Sequence, residues 1–264
     1  MKLTAILAVR NEADYIGRCC EHLARHGVSF VIIDNESSDA TVSIARTFVN
    51  RGLIDIVSQP YPGYFDLVGQ LRHKERLARE LESDWILHLD ADEIPEPPER
   101  DGSLPEWLER VEDAGCNAIC FDEFVFLPTG AEEWRSGGDY VAAMKRYYFF
   151  EPRPQRLLRG WRHTRDVALT ESAGHEVRFP ERRVYPRNFV LRHYIALSRR
   201  HLVDKYTRQR RYSPEELARG WHASRSRLTP ETIRWPNDED LSSIETDGGW
   251  DRSNPRRRHL FLPP

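Results

Sequence analysis

The sequence predicts an α/β fold in which a mostly parallel sheet carries helices on both faces. Short apolar runs alternate with amphipathic stretches from residue 3 to residue 90, as parallel strands alternate with crossover helices. A polar segment directly follows each apolar run, at the strand ends where open sheets of this kind bind ligands. After residue 90 the alternation stops, which predicts a less regular C-terminal segment.

Each element of the first part has its own signal. Residues 12–26 repeat apolar side chains with helical spacing, and Ser38 or Asp39 can cap the helix that follows the second strand. Strands are predicted at 3–9, 29–34, 54–58 and 85–90, separated by helices at 12–26, 40–50 and 66–82.

The second part begins where Pro95, Pro97 and Pro98 exclude a helix. Alternating apolar residues then indicate a strand at 116–127. Further strands are predicted around 144–150, 155–158, 166–170 and 188–194, with helices at 104–114 and 197–212 and a polar tail from about residue 224.

Composition narrows the class of protein. The 264 residues are 39 % hydrophobic and 31 % charged, which excludes a disordered chain. No apolar run approaches the roughly 18 residues of a membrane span, and no signal peptide is recognised at the start, so a cytoplasmic protein is expected. The four cysteines lack Cys-x-x-Cys spacing and are expected to be buried thiols in a reducing compartment.

Charge is distributed unevenly along the chain. Residues 1–140 carry 13 Lys and Arg against 27 Asp and Glu, whereas residues 141–264 carry 26 against 15. An acidic half suits a divalent cation, and a basic half suits phosphates or an anionic acceptor, although the halves could also simply neutralise each other. The run Arg256–Arg258 leaves peripheral contact with an anionic membrane open. The sequence lacks a basic patch with interleaved aromatic residues, so nucleic-acid binding is not expected.

Four polar segments form what we call the rim, at the carboxyl ends of the first four strands. They are residues 10–12, residues 34–37, Gln59 with its turn, and residues 90–93. The first turn lacks the Gly-x-Gly-x-x-Gly pattern of a dinucleotide site, and no Gly-Lys-Ser/Thr phosphate loop is present.

The sharpest rim segment is His88-Leu89-Asp90-Ala91-Asp92-Glu93. Residues two apart in an extended chain point to the same side, so Asp90 and Asp92 converge. Two carboxylates held close repel and raise one pKa unless a cation lies between them. Mg²⁺ or Mn²⁺ relieves that repulsion and also accepts diphosphate oxygens. The segment therefore predicts a divalent-metal site.

Three segments, in this order and spacing, resemble family 2 glycosyltransferases of the GT-A fold: Ile6–Glu12, Val31–Thr41 and Trp85–Glu93. The resemblance covers about residues 1–127. Arg192-His193-Tyr194, followed by Ser198 and a basic helix, resembles a late histidine segment of some branches of that family. The resemblance implies one GT-A-like, Rossmann-like domain at 1–223, with a nucleotide-sugar and metal half at 1–127 and an acceptor half at 128–223. Residues 224–264 are expected to pack on its surface as a tail.

The resemblance also implies the residues that hold a nucleotide-sugar donor. Base and ribose contacts are expected from the first two rim segments, through Ala8, Val9, Arg10, Glu12, Asp34 and Asn35. Many members carry Asp-Asp-Gly-Ser where this chain has Asp34-Asn35-Glu36-Ser37. Further nucleotide or phosphate contacts are expected from Gln70, Arg72 and Lys74, which a solvated helix face would explain almost as well, and from Asp90 and Ala91.

For the metal, the resemblance implies Asp92 as direct ligand, Asp90 as a metal or ribose contact and His193 as a third ligand. A histidine alone at such a position is more often structural than a metal ligand. Many relatives use an Asp of a Glu-Asp pair as the base, and the second half has no such pair before the tail. The remaining candidates for the base are Asp122, Glu123, Glu171 and His175. The aromatic residues Trp134, Tyr147, Tyr148, Trp161 and Trp221 could stack on a sugar or belong to the core.

The sequence thus predicts a metal-dependent glycosyltransferase that moves a sugar from a nucleotide-sugar donor, with a UDP-sugar favoured, to a hydroxyl group. The acceptor could be a saccharide, a lipid-linked molecule or a small molecule, and the resemblance points to inversion. A sugar nucleotidyltransferase is one alternative, but it would need a glycine-rich basic loop after the first strand. The missing Glu-Asp pair favours the other alternative, a non-catalytic nucleotide- or sugar-binding protein.

Overall fold

The structure, a computed structural model, describes residues 1–129, 138–244 and 249–263. These residues divide into two compact units. The first unit comprises residues 1–61, 67–121 and 155–191, and the second comprises the described parts of 62–66, 122–154 and 192–264. Trp134, one of the aromatic candidates, lies outside the described residues. The predicted functional halves at 1–127 and 128–223 stay a prediction, because the division of the chain into units reflects compactness alone.

The described residues form ten strands and seven α-helices. The strands are β1 (Leu3–Val9), β2 (Ser29–Asp34), β3 (Leu53–Ser58), β4 (Trp85–Leu89), β5 (Glu93–Glu96), β6 (Ala118–Phe126), β7 (Arg146–Phe150), β8 (Leu157–Arg162), β9 (Phe189–Tyr194) and β10 (Ser242–Ser243). The helices are α1 (Ala13–Arg25), α2 (Thr41–Arg46), α3 (Leu67–Glu80), α4 (Leu104–Asp113), α5 (Tyr140–Ala143), α6 (Arg199–Val203) and α7 (Pro214–Ala218).

The first unit contains a mixed sheet with strand order β3-β2-β1-β4-β8-β6. Strands β1 to β4 are parallel, and β8 is antiparallel to both β4 and β6. Crossovers between parallel strands are right-handed. The chain moves one way through β1, β2 and β3 and returns to β4, which puts α1 and α2 on one face and α3 on the other. The predicted α/β sheet with helices on both faces is confirmed, with its parallel part confined to β1–β4.

Burial along these strands follows their place in the sheet. Strands β1, β2 and β4 are almost continuously buried, as expected for central strands covered on both faces. The edge strand β3 is only partly covered. Helices α1 and α4 lie within one residue of the ranges predicted at 12–26 and 104–114, and Ser103 and Glu106 form a capping box at the start of α4.

Three local predictions differ from the structure. In place of the strand expected at 166–170, only an isolated antiparallel bridge forms between Ala168 and Arg178. A 3₁₀ turn follows at Thr170–Ser172, after which Ala173 has a positive φ of 54°. The helix expected at 197–212 is a short α6 followed by a π-helical turn, Asp204–Gln209. Strand β5 was not predicted, because Pro95, Pro97 and Pro98 indicated a break, whereas β5 itself contains only Pro95. Prolines are compatible with a short strand that needs only part of its backbone donors, and β5 pairs with β9.

The second unit contains antiparallel pairs of β7 with β6 and with β10. The segment 224–263 does more than cover a surface, because Leu228, Ile233, Leu241 and Phe261 belong to the apolar core of this unit. The Arg256 amide donates to Phe149 O at 2.8 Å. The expectation of a polar surface tail underestimated this segment, since its apolar residues are widely spaced along the sequence and meet only after folding.

Other composition-based expectations can be compared directly. Cys19, Cys20 and Cys120 are buried, Cys116 is half-buried, and none of the four is in a disulfide. Burial raises the pKa of Cys20 to about 12. Trp161, Tyr147 and Tyr148 are buried in the core, so of the two alternatives, sugar stacking or core packing, core packing applies to them. Within the ranges that the structure describes, no helix has both the length and the apolar character needed to cross a membrane.

Candidate functional site

Arg10 joins the first two rim segments. Its Nη1 donates to the Asn35 carbonyl at 2.7 Å and also to the Glu36 carbonyl. Its guanidinium lies 3.5 Å from the centroid of the Tyr61 ring. Arg10 was expected to hold a base or ribose, and in this structure its side chain organises the backbone on which such a ligand would rest.

Asn35 ties the rim segments together from a buried position. Its amide donates to Val9 O at 2.9 Å. Its Nδ2 donates to Gln59 O at 3.0 Å and to Pro60 O at 2.9 Å, and its Oδ1 accepts from Gln70 Nε2 at 3.4 Å. Both side-chain donors are used, and only an amide can supply them. These two donated hydrogen bonds require an amide at position 35, where many members of the family that the sequence resembles carry a second aspartate.

Asn35→Asp is expected to lower the free energy of unfolding by about 3 kcal/mol, because a carboxylate would face the carbonyls of Gln59 and Pro60 without a donor. Urea unfolding at pH 7 measures this loss. Asn50→Asp is the control, since Asn50 is exposed and its replacement should leave the free energy nearly unchanged. A loss at Asn35 no larger than at Asn50 would contradict the clamp role.

The other predicted donor contacts near this turn differ in accessibility. Asp34 is half-buried and accepts from the Ser37 amide at 3.2 Å. The Glu12 amide donates to Thr41 Oγ1 at 2.7 Å, while Val9 is buried and Ala8 is half-buried. Asp34, Glu12, Val9 and Ala8 all stay predictions for donor contact.

The α3 candidates divide by burial. Arg72 is exposed, whereas Gln70 and Lys74 are buried. Lys74 Nζ donates to Leu89 O at 2.8 Å and lies 3.6 Å from Asp90 Oδ1. Burial lowers the pKa of Lys74 to about 8, and the Asp90 carboxylate opposes that shift. Lys74 therefore binds the end of β4 from a buried position on α3. The alternative of a solvated helix face does not hold for this residue.

The Asp-x-Asp segment forms a tight turn after β4. The Glu93 amide donates to Asp90 O at 3.2 Å, and the Asp90 amide donates to Glu93 Oε2 at 2.9 Å. Ala91 and Asp92 are buried, whereas the Asp90 side chain is 51 % exposed. The turn therefore brings a buried and an exposed carboxylate to the end of one strand.

Arg159 on β8 is a charged neighbour that sequence reasoning missed. Its Nη1 lies 2.6 Å from both carboxylate oxygens of Glu93. Both side chains are buried. Arg159 lies just after the strand predicted at 155–158, and its local sequence does not reveal its partner.

The base candidates Glu171 and His175 have other partners in the first unit. Glu171 Oε2 accepts from Arg178 Nη1 at 2.6 Å in an exposed ion pair. His175 Nε2 lies 3.5 Å from Arg156 Nη2. A Cβ at Gly174 would lie 2.8 Å from Leu71 Cδ2, so glycine is needed there for close packing within the protein.

His88 is buried next to the loop that contains Gly174. Burial lowers its pKa well below the usual range, and the positive charges of Lys74 and Arg159 lower it further. A Cβ at Gly174 would lie 3.1 Å from His88 Nε2. His88 is thus a neutral, enclosed imidazole.

Glu123 and His193 lie together in the second unit. His193 Nδ1 is 2.7 Å from Glu123 Oε1, and the two residues come from β6 and β9, which pair. The Glu123 side chain is 4 % exposed and that of His193 is 15 % exposed. The neighbouring Asp122 is engaged by Arg252, whose Nε donates to its Oδ2 at 2.6 Å. A predicted base and a predicted metal ligand therefore form one hydrogen-bonded pair.

No group of three or more His, Cys, Asp or Glu side chains arranged to hold a metal ion is found among the described residues. Asp90 and Asp92 belong to the first unit and His193 to the second, and their shared metal site stays a prediction. Two carboxylates at one turn still fit a hard cation such as Mg²⁺ or Mn²⁺, since these ions complete their coordination with water and phosphate oxygens.

The chain is similar in sequence to known glycosyltransferases. The model of Glycosyl transferase family 2 matches residues 4–206. An uncharacterized glycosyltransferase of Rickettsia bellii is 34 % identical over 92 residues, covering 35 % of this chain and 28 % of that protein. The lipopolysaccharide core biosynthesis glycosyltransferase LpsC of Rhizobium meliloti is 31 % identical over 109 residues, covering 41 % of this chain and 37 % of LpsC. The matches thus span well under half of these relatives.

Solved structures give weaker matches. Staphylococcus aureus TarS aligns with a TM-score of 0.46 at 12 % identity, covering 74 % of this chain and 37 % of TarS. The mannosyltransferase PcManGT of Pyrobaculum calidifontis, in complex with GDP-Man and Mn²⁺, aligns with a TM-score of 0.34 at 19 % identity, covering 46 % of this chain and 35 % of that one. At these scores neither alignment carries weight for a site or a reaction of this chain.

Proposed function

Because this chain belongs to glycosyl transferase family 2, we propose that it transfers a sugar from a nucleotide-sugar donor to a hydroxyl group with the help of a divalent metal. The observation that carries the proposal is the Asp90–Asp92 turn at the end of a parallel strand, where α/β sheets bind ligands. The buried charged side chains of Lys74, Glu93 and Arg159 surround this turn, which distinguishes it from an acidic turn exposed to solvent.

Each part of the donor has a proposed place in the first unit. Asp34 and the turn at Ala8–Glu12 would contact base and ribose, and the exposed Arg72 would contact phosphate. Asp92 and Asp90 would hold Mn²⁺ or Mg²⁺ through carboxylate oxygens. When bound, the ion supplies positive charge that stabilises the leaving nucleoside diphosphate.

The transfer itself is one displacement. The acceptor oxygen forms a bond to the anomeric carbon as the bond from that carbon to the diphosphate oxygen breaks, which inverts the carbon. The acceptor proton passes to the Glu123–His193 pair. A carboxylate hydrogen-bonded to imidazole fixes the tautomer of the ring and stabilises its protonated form, as proton acceptance requires.

The acceptor and the setting are proposed at a coarser level. The name of LpsC supports a saccharide or lipid-linked acceptor, and the exposed Arg257 and Arg258 suit an anionic molecule or membrane surface. The four free cysteines fit a reducing, cytoplasmic compartment.

A thermal-shift panel of UDP, GDP, CDP and dTDP, each with Mn²⁺, Mg²⁺ or EDTA, tests the proposal. One nucleotide is expected to raise the melting temperature only with metal, and at 100 times its Kd the gain is about 2.7 kcal/mol. UDP is expected to give the largest shift.

Two additions separate the alternatives: nucleoside triphosphates and sugar 1-phosphates in the same thermal-shift panel, and an assay of nucleoside diphosphate release from sugar donors. Stabilisation by a nucleoside triphosphate and a sugar 1-phosphate, with no shift by any diphosphate, would support the nucleotidyltransferase. Diphosphate binding with no release of nucleoside diphosphate from any sugar donor would support the binding protein. A panel without any shift would overturn the proposed donor site.

A further inference from the structure

The Glu93 carboxylate sits inside the Asp-x-Asp turn. Its Oε2 accepts from the Asp90 amide at 2.9 Å, and its backbone amide donates back to Asp90 O at 3.2 Å. The turn is therefore closed by both the main chain and the side chain of one residue, which directly follows Asp92 in the sequence.

Arg159 balances this carboxylate from a different strand. The Glu93 and Arg159 side chains are 2 % and 7 % exposed, and Nη1 lies 2.6 Å from each carboxylate oxygen. Lys74 adds a second buried cation 3.6 Å from Asp90 Oδ1. Buried positive charge on this side of the turn offsets the mutual repulsion of Asp90 and Asp92, which would otherwise drive the two carboxylates apart.

Stability alone is a poor reason for such a pair. Removing two charges from water costs about as much as their attraction returns, and hydrophobic replacements of both partners are often neutral or stabilising. What the pair does supply is direction, because an arginine across a carboxylate fixes where its oxygens point. Here one of those oxygens holds the backbone of Asp90.

We propose that Glu93 and Arg159 are positioning residues that hold the Asp90–Asp92 turn in the shape that binds a metal–diphosphate. The proposal rests on the proposed function, since it concerns the same turn. Neither residue touches the ligand itself. The pair acts through the Asp90 amide, so its loss should weaken metal-dependent binding without a matching loss of folding stability.

The test compares the double variant Glu93→Leu/Arg159→Met with the wild-type chain. Two quantities are measured: the unfolding midpoint in EDTA, and the Kd for Mn²⁺–UDP, or for the nucleotide that the panel selects, by calorimetry. A midpoint close to wild type with a Kd raised about 10- to 100-fold is expected, as for other outer residues that orient metal ligands. Glu99→Leu/Arg187→Met removes an exposed ion pair of the same chemistry and should change neither quantity.

Two further variants keep the test decisive if the double variant does not fold. Glu93→Gln retains an oxygen for the Asp90 amide and loses the charge that orients it, and it should raise the Kd about tenfold. Arg159→Lys restores one positive charge and should bind more tightly than Arg159→Met.

A folded double variant, or failing that a Glu93→Gln variant, that binds Mn²⁺–nucleotide as tightly as the wild type would overturn this inference alone. Absence of metal-dependent nucleotide binding in the wild-type chain would instead overturn the proposed function, and this inference with it.

Discussion

Asp92→Asn is expected to reduce the release of nucleoside diphosphate from the sugar donor by about 10³-fold or more. The bound metal contributes several kcal/mol of charge stabilisation in the transition state, and each 1.36 kcal/mol corresponds to a factor of ten in rate. Asp92 is the buried carboxylate of the turn, and asparagine keeps its size while removing the charge that binds the ion. The same variant should lose the Mn²⁺-dependent part of the nucleotide thermal shift.

The control for this variant is Asp113→Asn. Asp113 is exposed at the end of α4, so the same chemical change there should leave rate and thermal shift as in the wild type. An Asp92→Asn chain that still shows the full Mn²⁺-dependent shift would remove Asp92 from the metal site. A lower melting temperature in EDTA would show that Asp92 also stabilises the folded turn.

Glu123→Gln is expected to reduce kcat by about 10²- to 10⁴-fold, the range that a positioned proton acceptor contributes, with KM for the donor little changed. Glutamine retains an oxygen for His193 Nδ1, so the ring keeps its place. The negative charge that would stabilise a protonated ring is lost. Release of nucleoside diphosphate at saturating donor, measured across pH 5–9, reports both the size of the effect and the loss of an ionising group.

The matched control lies next to it on the same strand. Asp122→Asn removes a carboxylate bound by the half-exposed Arg252 and should change kcat far less. His193→Gln separates the two roles of the pair. A weaker Mn²⁺ affinity at near-normal kcat would make His193 a metal ligand, as the family resemblance implied. If both variants lose only stability, the pair is structural and the proton acceptor must be sought elsewhere.

Local sequence patterns were enough to predict the main elements. Helical spacing located α1, and continuous apolar runs located β1, β2 and β4, because periodic burial leaves a direct trace in the order of residues. The rim was also predictable, since parallel strands bring their carboxyl ends to one edge. Asp90 and Asp92 are only two residues apart, so their turn needed no long-range information.

The partners of these groups were set by the tertiary structure. Arg159 lies 66 residues from Glu93, and His193 lies 70 residues from Glu123. Neither pairing leaves a local signal, because it depends on β8 lying beside β4 and on β9 lying beside β6. The burial of Lys74 has the same cause, since burial of a helix face depends on what packs over it, whereas its contact with a nucleotide or phosphate stays a prediction.

The sequence by itself therefore determined the fold class, the rim and the acidic turn, all of which depend on short-range spacing. Only the tertiary structure decided which charged residues support that turn and which residue is hydrogen-bonded to Glu123. It also decided the partners of the Asn35 side chain, which require an amide. Those outcomes depend on hydrogen bonds and buried charges between strands far apart in the chain, where strand order and register, rather than local periodicity, choose the neighbours.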